Sequence, residues 1–251
     1  MEHANKLRPH PGISALLATL LWMVVPPSSA APLNIVNVSA PAINCKFDSD
    51  CKITVNDVAD HFTLAAASGD AFLQSRRFPV GEAGTAAAGY YAYLYRIDLR
   101  QLAGLTALPC VNSLKIEFGP VKALDYNSDG TLDHVFVVTG GGLGSVAPSA
   151  ADKVGNNITF SFSPPVCAGS SPGNGQSSYF FGLTSAQPVR NIIAEIKDTL
   201  GGTTALDARA PKLWIIVWPL PPWAFFILAA VVMIWAGAYF LDKPRASRRR
   251  R

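Results

Sequence analysis

Hydrophobic and polar residues alternate along most of the chain, in short runs separated by clusters of Gly, Pro, Ser, Asn and Asp. A period of two sends successive side chains to opposite faces, so this pattern predicts half-buried β-strands. In residues 157–162, for example, Ile158, Phe160 and Phe162 fall on one face. The candidate strands are residues 34–38, 52–55, 90–97, 113–124, 134–139, 157–162 and 178–183. We therefore expect a mainly β, β-sandwich-like domain over residues 31–212.

Two segments fit more than one pattern. Residues 98–105 could form a helical turn after a candidate strand. A helical stripe is formed by Val189, Ile192, Ile193, Ile196 and Leu200. Against that helix, Leu-Gly-Gly-Thr at 200–203 is typical of a tight turn and 204–210 of a returning strand, so we expect a β-hairpin.

The C-terminal region has the composition of a membrane anchor. Residues 223–241 are an unbroken apolar run of nineteen, and a helix of that length reaches about 28 Å, close to the hydrocarbon thickness of a bilayer. The segment after it, 242–251, carries Lys243, Arg245, Arg248, Arg249, Arg250 and Arg251. Because short cytoplasmic flanks hold the excess of Lys and Arg, we expect a transmembrane helix stopped by a cytoplasmic tail that contacts anionic membrane lipid.

Residues 1–30 have the organisation of a cleaved secretory signal peptide. Lys6 and Arg8 precede an apolar stretch at 13–25, which is too short to span a bilayer comfortably, and small residues close the segment at Ala30. An uncleaved first anchor is the alternative. Cleavage would leave residues 31–222 outside the cytoplasm.

Charge is unevenly distributed along the chain, whose net charge is +4. The basic tail contributes +5 and the signal peptide +1, which leaves −2 for the region between them. A nucleic-acid-binding domain needs a basic face for the phosphates. We therefore expect no nucleic-acid partner.

All four cysteines, Cys45, Cys51, Cys110 and Cys167, fall in the region predicted to be exported. Outside the cytoplasm an even number of cysteines predicts disulfides, here with three possible connectivities. Pairing Cys45 with Cys51 would leave Cys110 and Cys167 to join distant segments. Zinc is the alternative, but the spacing of Cys45 and Cys51 is wider than in the usual metal knuckle and no histidine accompanies it.

The nine residues from 125 to 133 read Asp-Tyr-Asn-Ser-Asp-Gly-Thr-Leu-Asp. Calcium binds about six to eight oxygens, and alternate residues of a curled loop direct their oxygens to one point. The predicted ligands are the side chains of Asp125, Asn127, Asp129 and Asp133 and the carbonyl of Thr131. A solvated Asx-type turn is the alternative, although three clustered aspartates would repel one another without a cation.

With Phe118-Gly119 before it, this segment resembles the calcium loops of FG-GAP and related surface repeats. The resemblance implies the same five ligands and a structural calcium ion between two strands. Those families repeat the unit several times, whereas this chain carries it once, so a propeller is not implied.

The C-terminal segment resembles the tripartite sorting tails of bacterial exosortase substrates, the PEP-CTERM and IPTL-CTERM class. The resemblance rests on a Pro-rich motif within residues 213–222, the single apolar segment and the terminal Arg cluster. The motif residues are Pro219, Pro221, Pro222 and Trp223. The resemblance implies an exosortase-type transpeptidase as a partner and attachment of the domain to the cell surface or its release into extracellular matrix.

Other motifs carry weaker signals. The Gly-rich segment 140–144 lacks the Lys of a P-loop and is better explained as a turn. His61 and His134 lie in no known nucleophile motif. The tyrosines at 90, 91, 93 and 95 could form an aromatic platform for carbohydrate, but alternation favours burial of half of them.

Together these features predict an exported cell-envelope protein, a single-pass membrane protein with a disulfide-bonded β domain and one calcium loop. We expect it not to be an enzyme, and extracellular polysaccharide is a candidate partner. The alternative is a secreted hydrolase or a carbohydrate-binding module whose site is assembled from loops.

Overall fold

The computed structural model describes residues 29–213, together with Met233. Within this part of the chain no helix is both long and apolar enough to cross a bilayer. Residues 1–28 of the predicted signal peptide, the transmembrane segment 223–241 and the basic tail 242–251, Met233 excepted, lie outside the described residues. The sorting motif from Pro219 to Trp223 lies outside them as well.

The domain is mainly β, as the alternation predicted, and has one short helix. The elements are β1 (Ala31–Pro32), β2 (Ile35–Ser39), α1 (Ala40–Cys45), β3 (Asn56–Phe62), β4 (Ala67–Arg77), β5 (Tyr91–Gly104), β6 (Cys110–Glu117), β7 (Val135–Gly140), β8 (Ala150–Val154), β9 (Asn157–Cys167), β10 (Phe181–Ser185), β11 (Val189–Asp198) and β12 (Thr203–Pro211). They form two six-stranded sheets. Sheet 1 has the order β1-β8-β9-β6-β11-β12 and sheet 2 the order β2-β7-β10-β5-β4-β3. All pairs are antiparallel except β2 with β7.

The two sheets face each other across one buried apolar cluster. Phe160 of sheet 1 and Phe181 of sheet 2 have ring centroids 4.7 Å apart. In β9, Ile158, Phe160 and Phe162 all point into this core, as the period of two predicted. Each such side chain contributes roughly 1.5–3 kcal/mol when removed from water, so this layer is the main source of stability.

The hairpin predicted after Val189 is confirmed. Strands β11 and β12 pair in register from Val189 with Pro211 to Lys197 with Thr203, and Gly201 occupies the left-handed region at a φ of 90°. Ile192 is buried whereas Ile193 is 64% exposed. That alternation excludes the helical stripe, which would have placed both on one face.

Three predicted segments differ most from the structure. Residues 98–105 form no helical turn, because β5 continues to Gly104 and pairs with β4 along its length. The strand predicted at 113–124 starts earlier, at Cys110, and ends at Glu117. Gly119 has a φ of 88° and Pro120 has no N–H, so the ladder cannot continue through them. Residues 52–55 are not a strand; their alternating side chains pack beside α1 without a pairing partner.

Several elements gave too weak a sequence signal. The edge strand β3 is rich in polar residues, including Asp57, Asp60 and His61, and β4 contains a register shift near Asp70. Charged side chains are typical of edge strands, where they discourage pairing with other chains. The very short β1, the five-residue β8 and the six-residue α1 offered little periodicity to detect.

A second apolar cluster lies on the outer face of sheet 2. Helix α1 and the loop after it cover this face through Ile43 and Phe47, each 1% exposed. Tyr126 and Phe136 pack below them with ring centroids 4.8 Å apart. The domain is therefore a sandwich with an additional layer over one sheet.

Two disulfides are present, as predicted. Cys45–Cys51 closes the loop after α1, and Cys110–Cys167 joins paired strands β6 and β9. No cysteine in the described chain is free. The first bridge is local, with a separation of 6 residues, and the second spans 57.

Side chains of sheet 2 close the outer edge of β12. The backbone N–H of Asp207 donates to Asp60 at 2.7 Å, and that of Arg209 donates to Ser75 at 2.8 Å. The Tyr95 hydroxyl donates to the Arg209 carbonyl at 2.7 Å. The end of β12 is thereby held against β3, β4 and β5.

Candidate metal centre

The loop 125–133 connects β6 to β7 and is closed at its base by hydrogen bonds. Leu124 and Asp133 exchange backbone bonds of 3.0 and 2.9 Å. Tyr126 is fully buried, and its hydroxyl lies 2.9 Å from Thr184 Oγ1. Burial raises the pKa of Tyr126 far above its usual value, so the phenol stays protonated and available to Thr184. The loop therefore projects from a fixed base.

Within the loop, Asp125 receives two backbone hydrogen bonds. Its Oδ1 accepts from the N–H of Asp129 at 3.1 Å, and its Oδ2 accepts from the N–H of Gly130 at 3.0 Å. Gly130 has a φ of 88°, which a residue without Cβ adopts at little cost. Gly130 therefore makes the tight turn of this loop.

Asn127, Asp129 and Thr131 form a second set of contacts. Asn127 Nδ2 donates to Asp129 Oδ2 at 2.7 Å, and the Thr131 N–H donates to Asp129 Oδ1 at 2.7 Å. These bonds, led by that from Asn127, lower the pKa of Asp129. An ionised carboxylate offers about four lone-pair sites, so these donors leave room for a cation.

Asp133 differs from the other acids of the loop. It is only 7% exposed, yet no donor among residues 29–213 reaches its carboxylate within hydrogen-bonding distance. Burial, followed by the neighbouring charges of Asp129 and Asp125, raises its pKa. A buried carboxylate near two other acids is the environment that a bound divalent cation would neutralise.

Two cationic or titratable groups border the loop. Lys46 Nζ donates to Ser128 Oγ at 2.6 Å, and His134 accepts from the Asn34 N–H at 3.4 Å through Nδ1. As arranged, no set of three His, Cys, Asp or Glu side chains in the described part of the chain converges closely enough to hold a metal. Binding would therefore require the acids of the loop to move closer together.

A cleft that the sequence did not predict lies on the outer face of sheet 2. It has a volume of about 280 Å³ and is bounded by α1, residues 53–55 and the Gly141–Gly142–Leu143 segment. Arg76 lies at this cleft, held by Asp57 at 2.7 Å and lying 4.2 Å from the centre of the Phe180 ring. Residues from six separated segments form it, so no local pattern could have revealed it.

The remaining candidates occupy separate places. His61 Nδ1 lies 2.8 Å from Asp70, with both side chains more than half exposed and away from the cleft. The glycine segment after β7 forms a turn, where a Cβ on Gly144 would lie 2.2 Å from the Ser178 carbonyl oxygen. Tyr93 and Tyr95 are fully buried, as the packing interpretation predicted.

Comparisons with family models, curated proteins and solved structures give no significant match to this chain.

Proposed function

We propose that this protein is exported and displayed at the cell envelope, with its disulfide-bonded β-sandwich domain outside the cytoplasm. The observation that carries the proposal is the pair of disulfides, which uses all four cysteines of the chain. Such bridges persist in oxidising compartments and are rare in the cytosol, where thiols are kept reduced. The signal-like residues 1–30 agree with export.

The C-terminal segment supplies the attachment in this proposal. Residues 223–241 would cross the membrane and the basic residues from Lys243 to Arg251 would stop transfer and contact lipid. The motif from Pro219 to Trp223 would direct the chain to an exosortase-type transpeptidase, in keeping with the resemblance of the tail. The domain would then remain at the surface or enter extracellular matrix, where polysaccharide is its proposed partner.

Calcium has a structural role in the proposed function. Asp125, Asn127, Asp129, Thr131 and Asp133 would provide its oxygen ligands. The support is Asp133, a residue with little exposed surface whose carboxylate receives no hydrogen bond from the described residues. Burial and the charges of two neighbouring acids raise its pKa. An ion there would tie the base of the loop to its tip. We propose no catalytic activity for the domain.

Reporter fusions test export and orientation. Alkaline phosphatase fused after Leu213, just beyond β12, should be active in a bacterial host because it requires an oxidising compartment to fold. A fluorescent protein fused after Arg251 should remain cytoplasmic. The matched control is the first fusion without residues 2–30, which should be inactive. The proposal is contradicted if phosphatase is active in the fusion without residues 2–30, or inactive in the fusion that keeps them.

A further inference from the structure

A second groove lies where β11 and β12 of sheet 1 meet the ends of β3 and β4 of sheet 2. It has a volume of about 380 Å³ and is lined by Asn56, Arg77, Val189, Arg190, Asn191 and Arg209. Three of these six residues are arginines and none is acidic. Yet the described residues 29–213 contain thirteen basic and fifteen acidic side chains. The basic character of the groove is therefore local.

Ion pairing separates two of the three groove arginines from the other arginines of the domain. Residues 29–213 contain six arginines, of which four form ion pairs: Arg76, Arg96, Arg100 and Arg190. The remaining two, Arg77 and Arg209, pair with no carboxylate within that range, and both line the groove. Two uncompensated guanidinium groups at one site favour an anionic ligand.

The uncompensated arginines are nevertheless positioned by the fold. Arg209 Nη1 donates to the backbone carbonyl of Asn56 at 3.2 Å and also to its side-chain oxygen. The Arg77 guanidinium lies 5.6 Å from the centre of the Tyr91 ring. Both residues are partly buried. Holding a guanidinium in place before binding reduces the entropy lost when a ligand is bound.

Arg190 closes the other side of the groove. Its Nε donates to the Pro211 carbonyl at 2.8 Å, and its Nη2 donates to Glu117 Oε2 at 3.0 Å. Glu117 therefore compensates this third arginine. Arg190 therefore forms part of the groove surface without adding net charge. The positive charge that lacks a paired carboxylate comes from Arg77 and Arg209.

The chemistry of the lining identifies the class of ligand. A guanidinium presents a planar fork of donors that matches a carboxylate. The amides of Asn56 and Asn191 both donate and accept hydrogen bonds, as neighbouring hydroxyl groups require. We propose that this groove binds a carboxylated sugar, a uronic acid unit of an acidic polysaccharide. This inference names a ligand class for the proposed function. It rests on that function in one respect: the domain must be exported to meet an extracellular polysaccharide.

Binding is measured by calorimetry with the full chain in a non-ionic detergent and a tetramer of galacturonic acid. Binding should weaken as salt is raised, because screening acts on partly exposed charges. A neutral glucose tetramer and glycerol phosphate, the charged part of an anionic phospholipid, serve as comparison ligands. Both should bind at least about tenfold more weakly than the uronide. The neutral tetramer has no charge, and glycerol phosphate offers one anionic group to the two guanidinium groups, whereas the uronide tetramer offers four.

Neighbouring arginines provide a matched set of variants. Arg77→Gln and Arg209→Gln should each weaken binding of the uronide by about tenfold or more, as expected when a charge-assisted hydrogen bond is lost. Arg76→Gln removes the same charge one residue away on the opposite face of β4, where Asp57 pairs with it. That variant should bind as the original chain does. Thermal melting of each variant shows that the fold is retained.

Several results would overturn the proposal. These are no uronide binding at low salt, equal binding of the neutral tetramer, tighter binding of glycerol phosphate, or equal loss in Arg76→Gln. If one groove variant fails to fold, the other still decides the outcome. Failure of export in the fusion assay with intact uronide binding would remove the proposed function alone, whereas successful export without binding would remove only the ligand.

Discussion

Two turns of this domain contain a buried aspartate, and they treat it in opposite ways. Asp198, at the β11–β12 turn, is 5% exposed, and its Oδ1 accepts the N–H groups of Leu200 and Gly202, each at 2.8 Å. Asp133 is 7% exposed, and its carboxylate accepts no hydrogen bond within residues 29–213. The two residues are similarly buried, but the Asp198 carboxylate completes the hydrogen bonding of its turn, whereas the Asp133 carboxylate has no donor from the described residues.

The surroundings of the two turns extend this contrast. Thr199, next to Asp198, donates its N–H to the carbonyl of Cys110 at 2.8 Å, so the turn is joined to the Cys110–Cys167 disulfide. The Asp133 loop is attached through Tyr126 and Thr184 at its base. The carboxylate of Asp198 has its partners within the fold, whereas that of Asp133 is left to water or to a cation.

The largest loss of stability should come from removing the Cys110–Cys167 disulfide, which lies beside the Asp198 turn. Replacing Cys110 and Cys167 with Ala frees a loop with a separation of 57 residues, for which chain entropy predicts a loss of about 4 kcal/mol in unfolding free energy. The matched double replacement at Cys45 and Cys51, 6 residues apart, should cost about 2 kcal/mol. Urea unfolding with and without calcium measures both. If removal of the Cys45–Cys51 bridge lowered the unfolding free energy more than removal of Cys110–Cys167, this prediction would be wrong.

Calcium should act on the uncompensated turn only. At a hundredfold excess over the dissociation constant, calcium should add about 2.7 kcal/mol to the unfolding free energy. Asp133→Asn and Asp129→Ala should each abolish this gain, and Asp133→Asn should be no less stable than the original chain in chelator, because it removes a repelled buried charge. Thermal melting with calcium and with chelator measures the difference. Identical melting of the unaltered chain in both conditions would show that the loop is only a turn.

Removing the carboxylate of the completed turn should give a smaller, calcium-independent effect. Asp198→Ala deprives the N–H groups of Leu200 and Gly202 of their acceptor, and we expect a loss of about 2 kcal/mol. Asp198→Asn keeps an acceptor oxygen and should lose less. The calcium response should persist in both variants. If Asp198→Ala changed that response, the two turns would be coupled and the comparison would fail.

The smallest effect concerns pH without calcium. Because the pKa of Asp133 is raised above 3.8, the folded state retains a proton that the unfolded state loses, so this contribution to stability falls as pH rises above 3.8. The pKa of Asp129 is lowered, so its contribution is lost only as pH falls below 3.8. Melting temperatures of the original chain and Asp133→Asn should therefore diverge above pH 3.8. With calcium the trend should reverse, since binding needs ionised carboxylates.

Much of the domain could be predicted from the sequence, for identifiable reasons. Ile158, Phe160 and Phe162 alternate with small polar residues, so their common face follows from strand geometry. The β11–β12 hairpin follows from Gly201 and Gly202 between two strand-like runs. The turn at Gly130 likewise follows from a local feature, a glycine among the Asp and Asn residues of the loop. By contrast, 98–105 was misread because β5 keeps charged and polar residues on its outer face, where Arg96 and Asp98 pair.

The sequence by itself determined the mainly β class, the cysteines available for bridging and the order of acids in the Asp125–Asp133 loop. These depend on local periodicity and composition, which are read within a few residues. Only the tertiary structure decided which strands share a sheet, that Asp133 is buried while Asp125 is hydrogen-bonded, and that Arg77, Arg190 and Arg209 line one groove. Those features depend on contacts between residues up to 153 positions apart, and such contacts are set by the packing of two sheets rather than by any local pattern.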